Sequence, residues 1–131
     1  MIRDVVRHPR RQKSFDTYGY SPAVASGDFL FVSGQVGVDD NGKPVADPAA
    51  QADAAFANLA EVLAAAGCTF DHVLEITSYH VDMHEHFEAF AAAKGKAFPE
   101  APYPAWTAIG VSALAIPALL FEVKATVQRS S

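Results

Sequence analysis

The sequence has one cysteine among 131 residues, Cys68, so no intrachain disulfide can form and nothing requires an oxidising compartment. Long apolar runs are missing as well, since none approaches the ~20 residues that span a bilayer. Basic residues are in deficit, 10 against 15 acidic, which leaves a formal charge of −5. That balance argues against nucleic-acid binding, which needs cations to displace phosphate counterions. Neither G-x-x-x-x-G-K-[ST] nor G-x-G-x-x-G occurs, so no glycine loop is expected to cradle a nucleotide. The H-E-x-x-H pattern of zinc hydrolases is also absent. The expectation is a protein without cofactor, metal, membrane or nucleic acid, and the cytoplasm is its default location.

What remains is ordinary globular material: 50% hydrophobic and 19% charged residues, enough for one domain covering 1–131. Half of the ten basic residues fall in the first thirteen, namely Arg3, Arg7, Arg10, Arg11 and Lys13. They read as a solvated arm or strand, with a transit peptide as the weaker alternative.

Asp16 to Pro22 is rich in turn formers and should deliver the chain into a sheet. Phe29-Leu30-Phe31-Val32 is β-prone and apolar on both faces, and Gly34 just after it suggests a bulge or a close backbone approach. Asp47 as N-cap, Pro48 at N1 and Gly67 beyond the end mark a first helix. Its apolar stripe is Phe56, Leu59, Val62, Leu63 and Ala66, opposite Gln51, Asp53, Asn58 and Glu61. Asp71 to Val81 turns β-like, with Leu74, Ile76, Ser78 and His80 sharing a face. Glu85 to Phe98 is a second helix stopped by Pro99, with Asp82 or His84 as its cap. Segments near Ala105–Val111 and Leu119–Val127 close the chain. The order βββαβαββ describes an α+β fold, a mixed sheet with two helices on one face. Phe31, Ile109, Phe121 and Val123 look too apolar for the opposite face to stay bare, so a subunit interface is expected there.

Tyr20-Ser21-Pro22-Ala23-Val24 through Ser33-Gly34-Gln35, then Asn58-Leu59 to Gly67, Asp71-His72-Val73 and Asp82-Met83 form a recognisable series. With Pro104-Ala105-x-Thr107 and Phe121-Glu122-Val123-Lys124-Ala125, it resembles the Rid (YjgF-type) family from Tyr20 to Val127. The resemblance implies a chorismate-mutase-like fold, a homotrimer, and small-molecule clefts between subunits. It also implies hydrolysis of enamines and imines to a 2-oxo acid and ammonia, without a cofactor. The family's pocket tyrosine falls on Tyr20, its glycine on Gly34 and its glutamate on Glu122. Its carboxylate-binding arginine falls on Trp106, and an asparagine of the helix falls on Ala91.

The arginine's replacement removes a bidentate, permanently charged partner for a carboxylate; indole offers one N–H and an apolar face. Glu122 is the candidate to orient water, set against a structural pairing with Lys124 on the same strand face. Tyr20 is the second catalytic candidate, against simple packing. Gly34 and Thr107 would bind substrate through backbone N–H groups, and Trp106 would stack on a planar ligand or serve as interface core. His80, Asp82, His84, Glu85 and His86 are dense in ligand types but lack a metal-binding spacing, so no metal is assigned. Cys68 follows a helix end and reads as inert. A non-catalytic trimeric binding or regulatory protein is the alternative; a ribonuclease or translation inhibitor, labels attached to the family, is weaker on this charge.

Overall fold

A computed structural model describes residues 2–129, so the extreme ends of the expected 1–131 domain lie outside the described residues. The elements are β1 (Asp4–Val6), α1 (Gln12–Tyr18), β2 (Ala23–Ser26), β3 (Phe29–Val36), α2 (Pro48–Ala65), β4 (Val73–His80), α3 (Met83–Ala97), β5 (Ala105–Gly110) and β6 (Phe121–Gln128). They form a six-stranded sheet in the order β1-β2-β3-β6-β4-β5, antiparallel except for the β4–β5 pair. The α+β class is as expected, with three helices rather than two.

Topology puts α2 and α3 on one face. β3 and β4 each run antiparallel to β6, so they are parallel to each other, and α2 carries the chain across β6 between them. α3 then links β4 to its parallel neighbour β5 in the same direction. Two crossovers of the same favoured hand, moving the same way along a sheet, place their helices on the same side.

The signals for α2 act as expected. The Asp47 carboxylate accepts the Ala50 N–H at 3.0 Å, and Gly67 (φ +76°) takes the left-handed position after the last turn. Phe56, Leu59, Val62 and Leu63 of α2 and Phe90 of α3 are buried against Leu30, Val32, Ile76, Phe121, Val123 and Val127. Each such side chain contributes on the order of 1.5–3 kcal/mol.

Four local readings need correction. The expected turn region begins as α1, a seven-residue helix with only Phe15 buried, closed by Gly19 at φ +73°. Asp82 does occupy the N-cap of α3, yet in a left-handed conformation (φ 49°) with no side-chain capping bond. Leu74 is exposed because a register shift between Val73 and Glu75 leaves it as a bulge residue. Phe121 and Val123 face the helices, so the outer face carries Phe29, Phe31 and Ile109, all more than a third exposed.

Gln51 and Asn58, expected on the solvent side of α2, are instead 1% and 4% exposed. Gln51 donates to the carbonyls of Val45 (2.9 Å) and Ala118 (3.1 Å), and its Oε1 accepts the Leu120 N–H at 2.7 Å. Asn58 donates to the Val36 carbonyl at 2.7 Å. Both amides tie loop backbone to the helix, at the ends of the two strands that carry the site.

Candidate functional site

Glu122 belongs to β6, where Phe121 and Val123 turn inward and Glu122 therefore turns outward. Its Cα partners are Val36 on one side and Tyr79 on the other. The side chain is half-buried on the outer face, and burial holds its carboxyl above the ordinary carboxylate range. Among the described residues it makes no salt bridge and no side-chain hydrogen bond. The alternative, a structural pairing with Lys124, is not formed: Lys124 follows on the same strand face but its side chain stays exposed.

Gly34 is what makes room for this carboxylate. Val32 pairs with Ala125 and Gln35 with Val123, so Ser33 and Gly34 together oppose Lys124 in a bulge. A Cβ on Gly34 would stand 2.7 Å from Glu122 Cγ and closer still to its carboxylate. Gly34→Ala is therefore expected to preserve the fold, since the displaced side chain can swing into solvent. It should lower any Glu122-dependent rate by about tenfold to a hundredfold, because small misplacement of a reacting group is costly. A variant with an unchanged rate would separate Gly34 from Glu122 function.

Tyr20 completes the group. Its ring is tilted against Phe15 at a centroid distance of 4.9 Å, and 49% of the residue is exposed. Burial and then the charge of Glu122 push its hydroxyl pKa up, with Arg11 opposing. Tyr20, Phe31, Ser33, Gly34 and Lys124 line a shallow depression of about 480 Å³ on the outer face. Tyr20 and Gly34 thus share one depression, and Glu122 packs against Gly34.

Thr107 lies on the same face but farther out: it pairs with Thr77, which pairs with Lys124, so two strands intervene before Gly34. Trp106 does not join them within one chain. Its Cα partner is Ile76, a core residue, so its ring lies on the helix side of the sheet. There it stacks on Phe87 at 5.6 Å and 11°, and its Nε1 donates to Ser78 Oγ at 2.8 Å. Lys94 Nζ sits 4.7 Å from the same ring. The indole thus belongs to an aromatic layer under α3, and within one chain it is neither the ligand-stacking wall nor the interface core that the sequence offered.

Of the histidine-rich segment, His80 turns into the core, where Nε2 meets Ser78 Oγ at 2.7 Å and burial pushes its pKa down. Asp82, Glu85 and His86 bring ligand atoms within 4.8 Å of one another at the surface, while His84 stands apart from that cluster. Cys68 is buried and free, and burial pushes its thiol pKa up, which keeps it unreactive. No helix among the described residues is long and apolar enough to cross a membrane.

Comparison with known proteins identifies the family. A family model described as endoribonuclease L-PSP matches residues 12–129. RutC family protein YjgH of Escherichia coli (strain K12) is 46% identical over 114 residues, 87% of this chain and 86% of its own. The solved structure of protein YjgH superimposes with a TM-score of 0.91 at 43% identity, covering 98% of this chain and 97% of that one. A 2-iminobutanoate/2-iminopropanoate deaminase of Mus musculus is 37% identical over 68 residues, half of each chain. With sequence and fold matching over nearly all of its length, this chain belongs to the endoribonuclease L-PSP family, also called YjgF/RutC/Rid.

Proposed function

We propose that this protein hydrolyses a small imine, enamine or similarly activated C–N bond, with Glu122 as the base. The observation that carries the reading is a half-buried carboxylate, unpaired among the described residues, held open by Gly34 and near enough for its charge to act on Tyr20. A carboxyl held above its ordinary range is a better general base than a free one once ionised. Water bound to Glu122 would add its oxygen to the imine carbon while giving a proton to the carboxylate. The nitrogen takes up that proton from the Glu122 carboxyl to give a carbinolamine. As its C–N bond breaks, the hydroxyl proton passes by way of Glu122 to the departing nitrogen, leaving ammonia and a carbonyl product. No electrons change hands, so the step calls on no redox cofactor. Tyr20 is suited to donate a hydrogen bond to the charge that develops, and Gly34 to leave space for substrate. The name carried by the mouse relative supports this reaction class. The ribonuclease in the family description fits less well with a chain of charge −5 and an acidic group at the centre of its site.

The cleft is proposed to complete itself in a homotrimer. Phe29, Phe31 and Ile109 give the outer face an apolar character that a neighbouring copy would cover. Light scattering should return about three times 14.0 kDa; a monomeric mass would rule out a cleft between subunits.

The reaction is tested by generating 2-aminoacrylate with an amino-acid dehydratase and following release of the 2-oxo acid. Acceleration above the spontaneous rate supports the reading. A rate equal to the spontaneous one at every protein concentration excludes it for this substrate class.

A further inference from the structure

We infer that Arg11 is the cation that receives the carboxylate of a small monoanionic ligand at this cleft. The inference rests on the reading of the Glu122 cleft as the reaction site and adds how its ligand is held.

Two arginines stand side by side at the start of α1, and they have opposite fates. Arg10 is fully engaged: its Nη2 lies 2.6 Å from Glu61 Oε1, its Nε 3.3 Å from Glu61 Oε2, and its Nη1 bonds Asp40. Arg11 has no carboxylate within salt-bridge distance among the described residues. Its Nε is buried without a hydrogen-bond partner.

The one polar side-chain neighbour of the guanidinium does not satisfy it. Arg11 Nη2 is 3.5 Å from His8 Nε2. His8 Nδ1, however, already accepts the backbone N–H groups of Arg10 (3.1 Å) and Arg11 (2.9 Å). An imidazole accepting at Nδ1 carries its proton on Nε2, so two donors face each other there. Arg11 is thus a partly buried cation with donors to spare, and burial pushes its pKa down, with the charge of Glu61 opposing from beyond contact distance. Buried donors of this kind call for a partner, and for guanidinium the best geometric match is a carboxylate taken by two parallel N–H groups.

The surroundings say where that partner sits. Arg11, Ser14, Phe15, Tyr20 and Val36 line one cavity of about 260 Å³. Val36 is the Cα partner of Glu122 across the β3–β6 pair. Tyr20 couples electrostatically to Arg11 and to Glu122. Arg11 and Tyr20 therefore share one cavity, and Glu122 stands on the strand next to its Val36 wall. A ligand anchored at Arg11 by its carboxylate would present its next carbon atoms to Tyr20 and the Glu122 side. Glu61, Asp40 and Glu122 nearby disfavour a dianion such as a phosphate monoester, and the Phe15 and Tyr20 rings suit a short apolar tail. The ligand class is a short-chain 2-oxo or 2-imino acid.

The test is calorimetric titration with 2-oxobutanoate and with its neutral amide, on wild type, Arg11→Gln, Arg11→Lys and Arg7→Gln. Arg7 serves as control because it belongs to an exposed pair with Asp16. Arg11→Gln should weaken 2-oxobutanoate by roughly tenfold to a hundredfold, the range of a charge-assisted bidentate contact, and leave the amide unchanged. Arg11→Lys should fall between, and Arg7→Gln should match wild type. Unchanged 2-oxobutanoate affinity in Arg11→Gln, equal weakening of both ligands, or no binding by wild type would overturn the inference. So would a loss of affinity that tracks a change in oligomeric mass, which would mark Arg11 as an assembly contact. The two readings separate cleanly. Arg11-dependent 2-oxobutanoate binding without imine hydrolysis removes the reaction and keeps this site. Imine hydrolysis with an unaltered KM in Arg11→Gln removes the site and keeps the reaction.

Discussion

Gln51→Leu is expected to lower the free energy of unfolding by about 3–5 kcal/mol. Leucine fills a similar volume, so the loss is not one of packing. What disappears is the partner of three backbone groups at once: the Val45 carbonyl, the Ala118 carbonyl and the Leu120 N–H. Each is left in a region where the replaced side chain was 1% exposed, and a buried unsatisfied group costs about 1–3 kcal/mol. Partial relaxation and water entry hold the sum below three full penalties. Against a typical total of about 5–15 kcal/mol, that is a large fraction of the stability. A urea titration would read it as a lower midpoint at similar slope. A loss under about 1 kcal/mol would mean that the 111–120 segment finds other partners. Because Leu120 leads directly into β6, the same substitution should also loosen Glu122.

Glu122→Gln should lower the proposed hydrolytic activity by about a hundredfold to ten-thousandfold, the usual worth of a positioned general base. The same change should make the protein more stable at neutral pH. Glu122 has a folded-state pKa raised by burial, so the folded protein holds its proton more tightly than the unfolded chain does. Below the ordinary carboxylate pKa both states are protonated, and glutamate and glutamine behave alike. As pH rises from that value through the raised one, the unfolded chain ionises first and the folded state loses relative stability. Above the raised value the penalty is complete and constant. Glutamine escapes it, so the gain should be absent near pH 4 and present at pH 7. Half-burial keeps it to about 0.5–1 kcal/mol, roughly 2–5 °C in Tm. Equal Tm values at both pH values would mean that Glu122 is paired or solvated in the working assembly. The wild-type rate should fall on acidification with a midpoint above the ordinary glutamate value.

The parts legible in the sequence were those governed by local signals. Asp47, Pro48 and Gly67 bracket α2, and Pro99 stops α3 just beyond Ala97, because caps and breakers act within a few residues. α1 left only its closing Gly19 as a trace, being seven residues long with one buried side chain and no side-chain cap at its start. The direction of Trp106 was hidden for a different reason. It depends on which residue of β4 it pairs with, and a shift of one position would have sent the ring to the other face. Gln51 and Asn58 were misread because periodicity sorts residues by polarity, whereas an amide is at home in the core when backbone groups there need partners. Tyr20, Gly34 and Glu122 were legible only through the family resemblance, since 14 and then 88 positions separate them along the chain. The importance of Arg11 was invisible in a run of basic residues. Only the engagement of Arg10 with Glu61 and Asp40 distinguishes the two.

The place of β6 in the sheet bears on how the protein is made. It lies between β3 and β4, yet both of those strands precede it in the chain. A ribosome therefore releases two unfinished half-sheets, β1-β2-β3 and β4-β5, with nothing to join them until Phe121–Gln128 emerges. The strand that closes the sheet is also the one that carries Glu122. Glu122 therefore reaches its place between Val36 and Tyr79 only as the two parts of the sheet are joined.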